Sequence, residues 1–155
     1  VMENGRLAKE PCIGVKVVLD DVKLHEDAIH RGPAQMYPAI RDSIRGAMSI
    51  ADPLLYEPIQ TMMFEAPAEY MGDISKLIAN KRGQLLDMEQ EGNRIEVEAK
   101  MPVAEMFGMA SELRSATGGR GSSFLVDQTF EQLPHDLQDQ IVNQIRDRKG
   151  LNDNE

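Results

Sequence analysis

The chain has 155 residues, a single cysteine, no tryptophan and a formal charge of −9. A 41% hydrophobic and 28% charged composition is that of a globular chain. It contains no apolar run long enough to span a bilayer and no secretory signal, and Cys12 alone excludes an internal disulfide, so a cytoplasmic setting without membrane contact is expected. The charge is uneven: residues 1–56 hold 7 Lys/Arg against 8 Asp/Glu, and residues 57–155 hold 10 against 18. Affinity for phosphates comes from Lys and Arg, so this acidic chain is a poor general nucleic-acid binder, any RNA contact has to be local, and the near-neutral first segment is the better candidate.

Residues 1–12 show no period. Ile13–Leu19 is rich in β-branched residues and predicts a strand, ended by Asp20-Asp21. A polar connection follows. From Pro33 a helix is expected, with Tyr37, Ile40, Ile44, Ala47 and Met48 at helical spacing, Pro38 near its start and Asp52-Pro53 stopping it. These two elements bury little, so Val15, Val17, Ile40 and Ile44 are expected to stay partly exposed or to be covered by another copy of the chain. A domain boundary is expected at residues 56/57.

After that boundary the pattern becomes regular. Pro58–Ala66 predicts a strand with Met62, Phe64 and Ala66 on one face. Pro67 opens a helix with the stripe Tyr70, Met71, Ile74, Leu77 and Ile78, and Gly83 suits its C′ position. Gln84–Glu89 and Arg94–Met101 predict a hairpin. The second strand alternates Ile95, Val97, Ala99 and Met101 inward with Arg94, Glu96, Glu98 and Lys100 outward. Pro102 opens a helix with Val103, Met106, Phe107, Ala110 and Leu113 inward, ended by Gly118-Gly119. Ser122–Phe130 is a strand of ambiguous inward set, because Phe124, Leu125 and Val126 are consecutive. Pro134 opens a last helix with Leu137, Ile141, Val142 and Ile145 inward. This helix is expected on or beside the preceding domain, ended by Gly150 and followed by a frayed acidic tail, Asn152–Glu155. The order β-α-β-β-α-β is the split βαβ, ferredoxin-like signature, a four-stranded antiparallel sheet with two helices on one face. The fold class is therefore α+β. This order by itself assigns no function.

Chemistry concentrates in Leu24-His25-Glu26-Asp27-Ala28-Ile29-His30-Arg31-Gly32-Pro33-Ala34-Gln35, a charged loop of the kind that carries function. His25 and His30 are five apart, about 140° round a helix, so they do not reproduce the i, i+4 ligand pair of H-E-x-x-H. In an extended loop Asp27 is a further potential ligand, but no metal site is expected. No nucleophile–base constellation is visible and no catalytic residue is expected. No G-x-x-x-x-G-K-[ST] phosphate loop occurs. Arg31, with Arg41 and Arg45 at i, i+4, forms a basic stripe that reads either as a solvated face or as an RNA contact. Gly118–Ser123 with Arg120 reads either as an anion nest or as a helix cap and turn, and Lys81-Arg82 has the same two readings.

The loop motif, together with Leu55–Ile59, Asn80–Gln84, Pro102–Gly108, Glu112–Gly121 and Arg146–Leu151, resembles translation elongation factor 2 of the archaeal type over nearly the whole chain. The resemblance implies a C-terminal piece of such a GTP-driven ribosomal translocase. Residues 1–56 would be the second half of a tip domain with a ribosomal-protein-S5-domain-2-like fold (domain IV), and residues 57–155 the last, ferredoxin-like domain (domain V) with its C-terminal helix. It implies that His30 is the histidine converted to diphthamide, and that the tip enters the decoding centre beside the messenger–transfer RNA minihelix and blocks transfer RNA return. The last domain would face large-subunit ribosomal RNA. His25, Arg31, Arg41, Arg45, Lys81, Arg82, Arg114 and Arg120 are the implied RNA-contact candidates. Implied partners are the ribosome, the rest of the factor and the diphthamide-synthesis enzymes. GTP and magnesium belong to the parent, so this segment itself would need no cofactor and would not be an enzyme. A stand-alone ferredoxin-like RNA-binding module is the alternative. The absence of aromatics on the outward face of the central hairpin opposes it.

Overall fold

Strand β1 (Tyr56–Pro67) carries Met62, Phe64 and Ala66 on one face, and this apolar alternation makes it a central strand. In the computed structural model, which describes residues 1–151, β1 pairs antiparallel with β3 (Arg94–Pro102) and with β4 (Ser122–Gln132). Strand β2 (Gln84–Glu91) completes a sheet of order β2-β3-β1-β4. Helices α2 (Met71–Asn80) and α3 (Met109–Ala116) complete the expected βαββαβ order. Their buried residues, Ile74, Leu77, Ile78, Met109 and Leu113, share one apolar cluster with Met62, Phe64, Ala66, Ile95, Val97, Ala99 and Met101. Burying each large side chain in such a cluster contributes about 1.5–3 kcal/mol. The hairpin turns at Gly92-Asn93 with Gly92 at φ +60°, the positive φ that the first central position of a II′ turn requires.

Several details of this unit differ from expectation. Met71 and Ala110, expected inward, are exposed, and Pro67 ends β1, with a 3-10 turn at Ala68–Tyr70 before α2. The helix after Pro102 is broken: Val103–Glu105 is a 3-10 turn, Gly108 adopts φ +77°, and α3 starts only at Met109. The break swings Phe107 out of the apolar stripe to 83% exposure. The left-handed residue after α2 is Arg82, not Gly83. In β4 the register shifts so that Thr61 faces Asp127 while Met62 faces Leu125, leaving Val126 as the extra residue of a bulge. That bulge resolves the ambiguous Phe124-Leu125-Val126 run, and all three side chains stay half-exposed.

The other unit comprises residues 1–55 and the chain from Leu133 onward, so the boundaries fall at Leu55/Tyr56 and Gln132/Leu133. Helix α1 (Pro33–Ile50) forms as expected, with no buried residue. Helix α4 (His135–Lys149) also forms, but its partners lie in this unit and not in the sheet unit where the sequence reading placed it. Its one buried side chain is Gln138, which accepts from the Leu55 N–H at 3.0 Å and donates to the Pro53 carbonyl at 3.4 Å. At the far end Lys149 Nζ donates to the carbonyls of Ala8 and Lys9 and pairs with Glu10, while Arg146 donates to the Leu7 carbonyl. The stripe Leu137, Ile141, Val142 and Ile145 is only half-buried. The acidic tail Asn152–Glu155 lies outside the described residues.

The expected strand over Ile13–Leu19 is not formed. A strand requires a ladder partner, and no segment among the described residues pairs with it. Ile13, Val15, Val17, Val18 and Leu19 are all exposed, and Ile40 and Ile44 of α1 are at most half-buried. The expectation of an uncovered first segment is met.

Candidate nucleic-acid interface

The tip loop is organised by its own side chains. Asp27 caps the 3-10 turn Ala28–Arg31, its Oδ1 accepting from the Ile29 N–H at 3.1 Å and its carbonyl from the His30 N–H at 3.2 Å. The Asp27 N–H in turn donates to His25 Nδ1 at 3.1 Å. The rings of His25 and His30 meet edge to face, with centroids 4.5 Å apart and an interplanar angle of 66°. Both histidines are exposed. Arg31 turns back on the loop: Nε donates to the His25 carbonyl at 2.7 Å and Nη2 to the Glu26 carbonyl at 2.8 Å. Among the described residues no group of three His, Cys, Asp or Glu side chains is placed to hold a metal ion.

The remaining candidates fall into engaged and free sets. Arg41 pairs with Asp42 at 2.9 Å, and this bond holds the Asp42 carboxyl below its ordinary value. Arg45 is half-buried on the same helix. Arg82 donates through both terminal nitrogens to Glu57 and through Nε to Glu105. The Glu57 bonds, with a smaller contribution from Glu105, raise the guanidinium pKa against the opposing effect of burial. Lys81 pairs with Glu112 at 2.9 Å and donates to the carbonyls of Glu105 and Phe107. Arg120 bonds the Tyr70 hydroxyl, pairs with Glu69 and stacks over the Tyr70 ring; the hydroxyl bond leads the upward shift of its pKa. Arg114 is exposed and has no carboxylate partner among the described residues. Lys81 and Arg82 thus serve the fold, whereas Arg114 is free to meet an anion.

The Gly118–Ser123 loop is a cap rather than an anion nest. The Gly119, Arg120 and Gly121 N–H groups go to the Arg114 carbonyl, the Thr117 carbonyl and Thr117 Oγ1 respectively. The features missed from sequence are Gln138 and Thr117, whose buried polar side chains carry no periodic signal.

On the sheet face away from α2 and α3, Glu65 faces Glu96, which faces Glu89, and Glu98 faces Asp87. Arg94 pairs with Glu65 and reaches Glu96 at 4.0 Å. Phe124, opposite Met63, puts an aromatic on this face that hairpin patterning did not anticipate. The surrounding carboxylates repel phosphate.

Comparison with known proteins agrees across the chain. The family described as elongation factor G C-terminus matches residues 54–141, and elongation factor G, domain IV, matches residues 1–52. Elongation factor 2 of Nanoarchaeum equitans is 52% identical over 97% of this chain and 20% of its own length. Elongation factor 2 of Methanocaldococcus jannaschii is 54% identical over 97% of this chain and 21% of its own. A crystal structure from Thermus thermophilus superposes with a TM-score of 0.73 and 31% identity, covering 94% of this chain and 22% of that one. The chain spans about a fifth of the length of these relatives. No helix among the described residues is long and apolar enough to cross a membrane. With both domain matches in order and half of all positions identical to archaeal relatives, the chain belongs to the elongation factor 2 family and holds its domain IV and C-terminal-domain sequence.

Proposed function

We propose that this chain is the mechanical and RNA-contacting end of a ribosomal translocase. Nucleotide chemistry would lie elsewhere in the complete factor. The tip around His30 occupies the space that a transfer RNA leaves in the decoding centre and so blocks its return. Steric exclusion biases the direction of motion, with no bond made or broken by the tip. His30 is the residue proposed to carry diphthamide, installed by its dedicated synthesis enzymes; the cationic arm would reach phosphates or 2′-hydroxyls beyond the span of bare imidazole. The C-terminal domain is proposed to meet large-subunit ribosomal RNA, with Arg114 and Arg120 as its contacts.

The observation that carries this reading is an exposed His30 on a self-organised loop in a chain of this family. The test is His30→Ala in the complete factor. Ribosome-stimulated GTP hydrolysis should stay near wild type, reading-frame errors should rise, and ADP-ribosylation by diphtheria-type toxins should vanish. Loss of hydrolysis with framing unchanged would show the tip role to be misassigned. The acidic sheet face opposes the alternative of a stand-alone RNA-binding module.

A further inference from the structure

The tip turn is a chain of three dependent bonds. Its first link is a side-chain acceptor, the Nδ1 of His25. His25 Nδ1 accepts from the Asp27 N–H at 3.1 Å. An acceptor nitrogen carries no proton, so this bond requires the Nε2–H tautomer of His25. The residue it fixes, Asp27, supplies the carboxylate oxygen for the Ile29 N–H and the carbonyl for the His30 N–H. The His25 ring then touches the ring of His30 at 4.5 Å, edge to face. On the other side the Arg31 guanidinium clasps the carbonyls of His25 and Glu26, two charge-assisted bonds that close the loop on itself. The ionisable groups within the turn itself are Glu26, Asp27, His30 and Arg31.

We propose that His25 and Arg31 are positioning residues that hold the His30 imidazole in one orientation, a role whose biological meaning rests on His30 being the functional tip. Arg31 thereby acts as a clasp and not as a phosphate ligand. His25 acts twice, through the Nδ1 lone pair and through the ring contact. The two actions separate by substitution. Asn keeps an acceptor in the place of Nδ1, because an Asn side chain makes the same i to i+2 turn bond. Phe keeps the ring and lacks the acceptor, and Ala lacks both.

The test is long-range ¹H–¹⁵N and NOE spectroscopy of the imidazoles in this 155-residue chain at about pH 8, above the ordinary imidazole pKa of about 6.5. Wild type should show His25 as the Nε2–H tautomer and an NOE between the His25 and His30 rings. His25→Asn should retain the Asp27 amide shift and lose only the ring contact. His25→Phe should do the reverse. His25→Ala and Arg31→Ala should both move the His30 ring resonances to unstructured values. His135 and the amides of residues 56–132 should stay unchanged in every variant, which controls for folding. A His25 carrying its proton on Nδ1, or His30 resonances indifferent to His25→Ala, would overturn the proposal. The function of His30 is tested separately by His30→Ala in the complete factor. Silence there with the spectra as expected removes the tip reading and leaves the positioning role. A framing defect there with the spectra contrary removes the positioning role alone. If both hold, framing errors in the complete factor should rise with His25→Ala and be substantially restored with His25→Asn.

Discussion

At the scale of single residues, the C-terminus of α2 shows two neighbours exchanging the roles that sequence suggests. The Gly83 N–H bonds the Ile78 carbonyl and the Arg82 N–H the Ala79 carbonyl, the Schellman pattern, which puts Arg82 at the left-handed C′ position with φ +53°. A non-glycine residue there costs about 1 kcal/mol. Gly83 is needed for space instead: a Cβ would lie 2.5 Å from Met101 Sδ and 2.6 Å from Ile78 Cγ2. Gly83→Ala should therefore destabilise the protein by about 1–3 kcal/mol, read as a lower urea midpoint at constant m. Arg82 offsets its strain by bridging Glu57 and Glu105. Because its pKa is raised, that stabilisation is complete below the unfolded value and fades only as pH rises through the folded one, far above neutrality. The Glu57 side chain is only 11% exposed. Arg82→Met strands it and should cost about 2–3 kcal/mol, while the Arg82→Met, Glu57→Gln double variant should recover part of the loss. If Arg82 were chiefly an RNA ligand, the single substitution would leave the urea midpoint unmoved.

At the scale of elements, legibility followed the presence of a partner. The Arg94–Met101 alternation identified β3 and its inward set because one face meets the helices and the other meets solvent. The β4 register was not legible. A bulge inserts one residue without changing composition, so three consecutive apolar side chains gave no phase. The Ile13–Leu19 run has the composition of a strand and lacks a ladder, and propensity alone does not supply one. In α4 the apolar stripe announced a packed face without naming its partner, and the anchors turned out to be polar: Gln138, Arg146 and Lys149. The same holds at the end of α3, where fully buried Thr117 donates to the Leu113 carbonyl at 2.7 Å and accepts from the Gly121 N–H at 2.8 Å. Gly121 sits close because a Cβ there would meet Thr117 Oγ1 at 2.7 Å. Thr117→Val keeps the shape and removes the acceptor. It should cost about 1–3 kcal/mol, with faster amide hydrogen exchange confined to Gly121 and its neighbours.

At the scale of the whole molecule, the chain joins units of unlike cohesion. Residues 56–132 hold a sheet with three laddered strand pairs and a shared apolar core. Residues 13–24 have no strand or helix, and Ile13, Val15, Val17, Val18, Leu19, Val22 and Leu24 are each 44% exposed or more. Local opening is cheapest where backbone bonds and buried apolar contacts are few. A protease needs an extended, accessible backbone, so trypsin at low ratio should cut first after Lys16 and Lys23, both exposed within this segment. Lys81, Arg82 and Lys100 should be cut last, since each lies in the sheet unit and is paired with a carboxylate there. The same seven apolar side chains are exposed within one short segment, and exposed apolar surface of this kind drives association. Sedimentation should accordingly show concentration-dependent self-association that Val15→Lys with Val17→Lys weakens, with the sheet unit's amide spectrum unaltered. Early cleavage within residues 56–132 ahead of Lys16 and Lys23 would contradict this ranking of the two units.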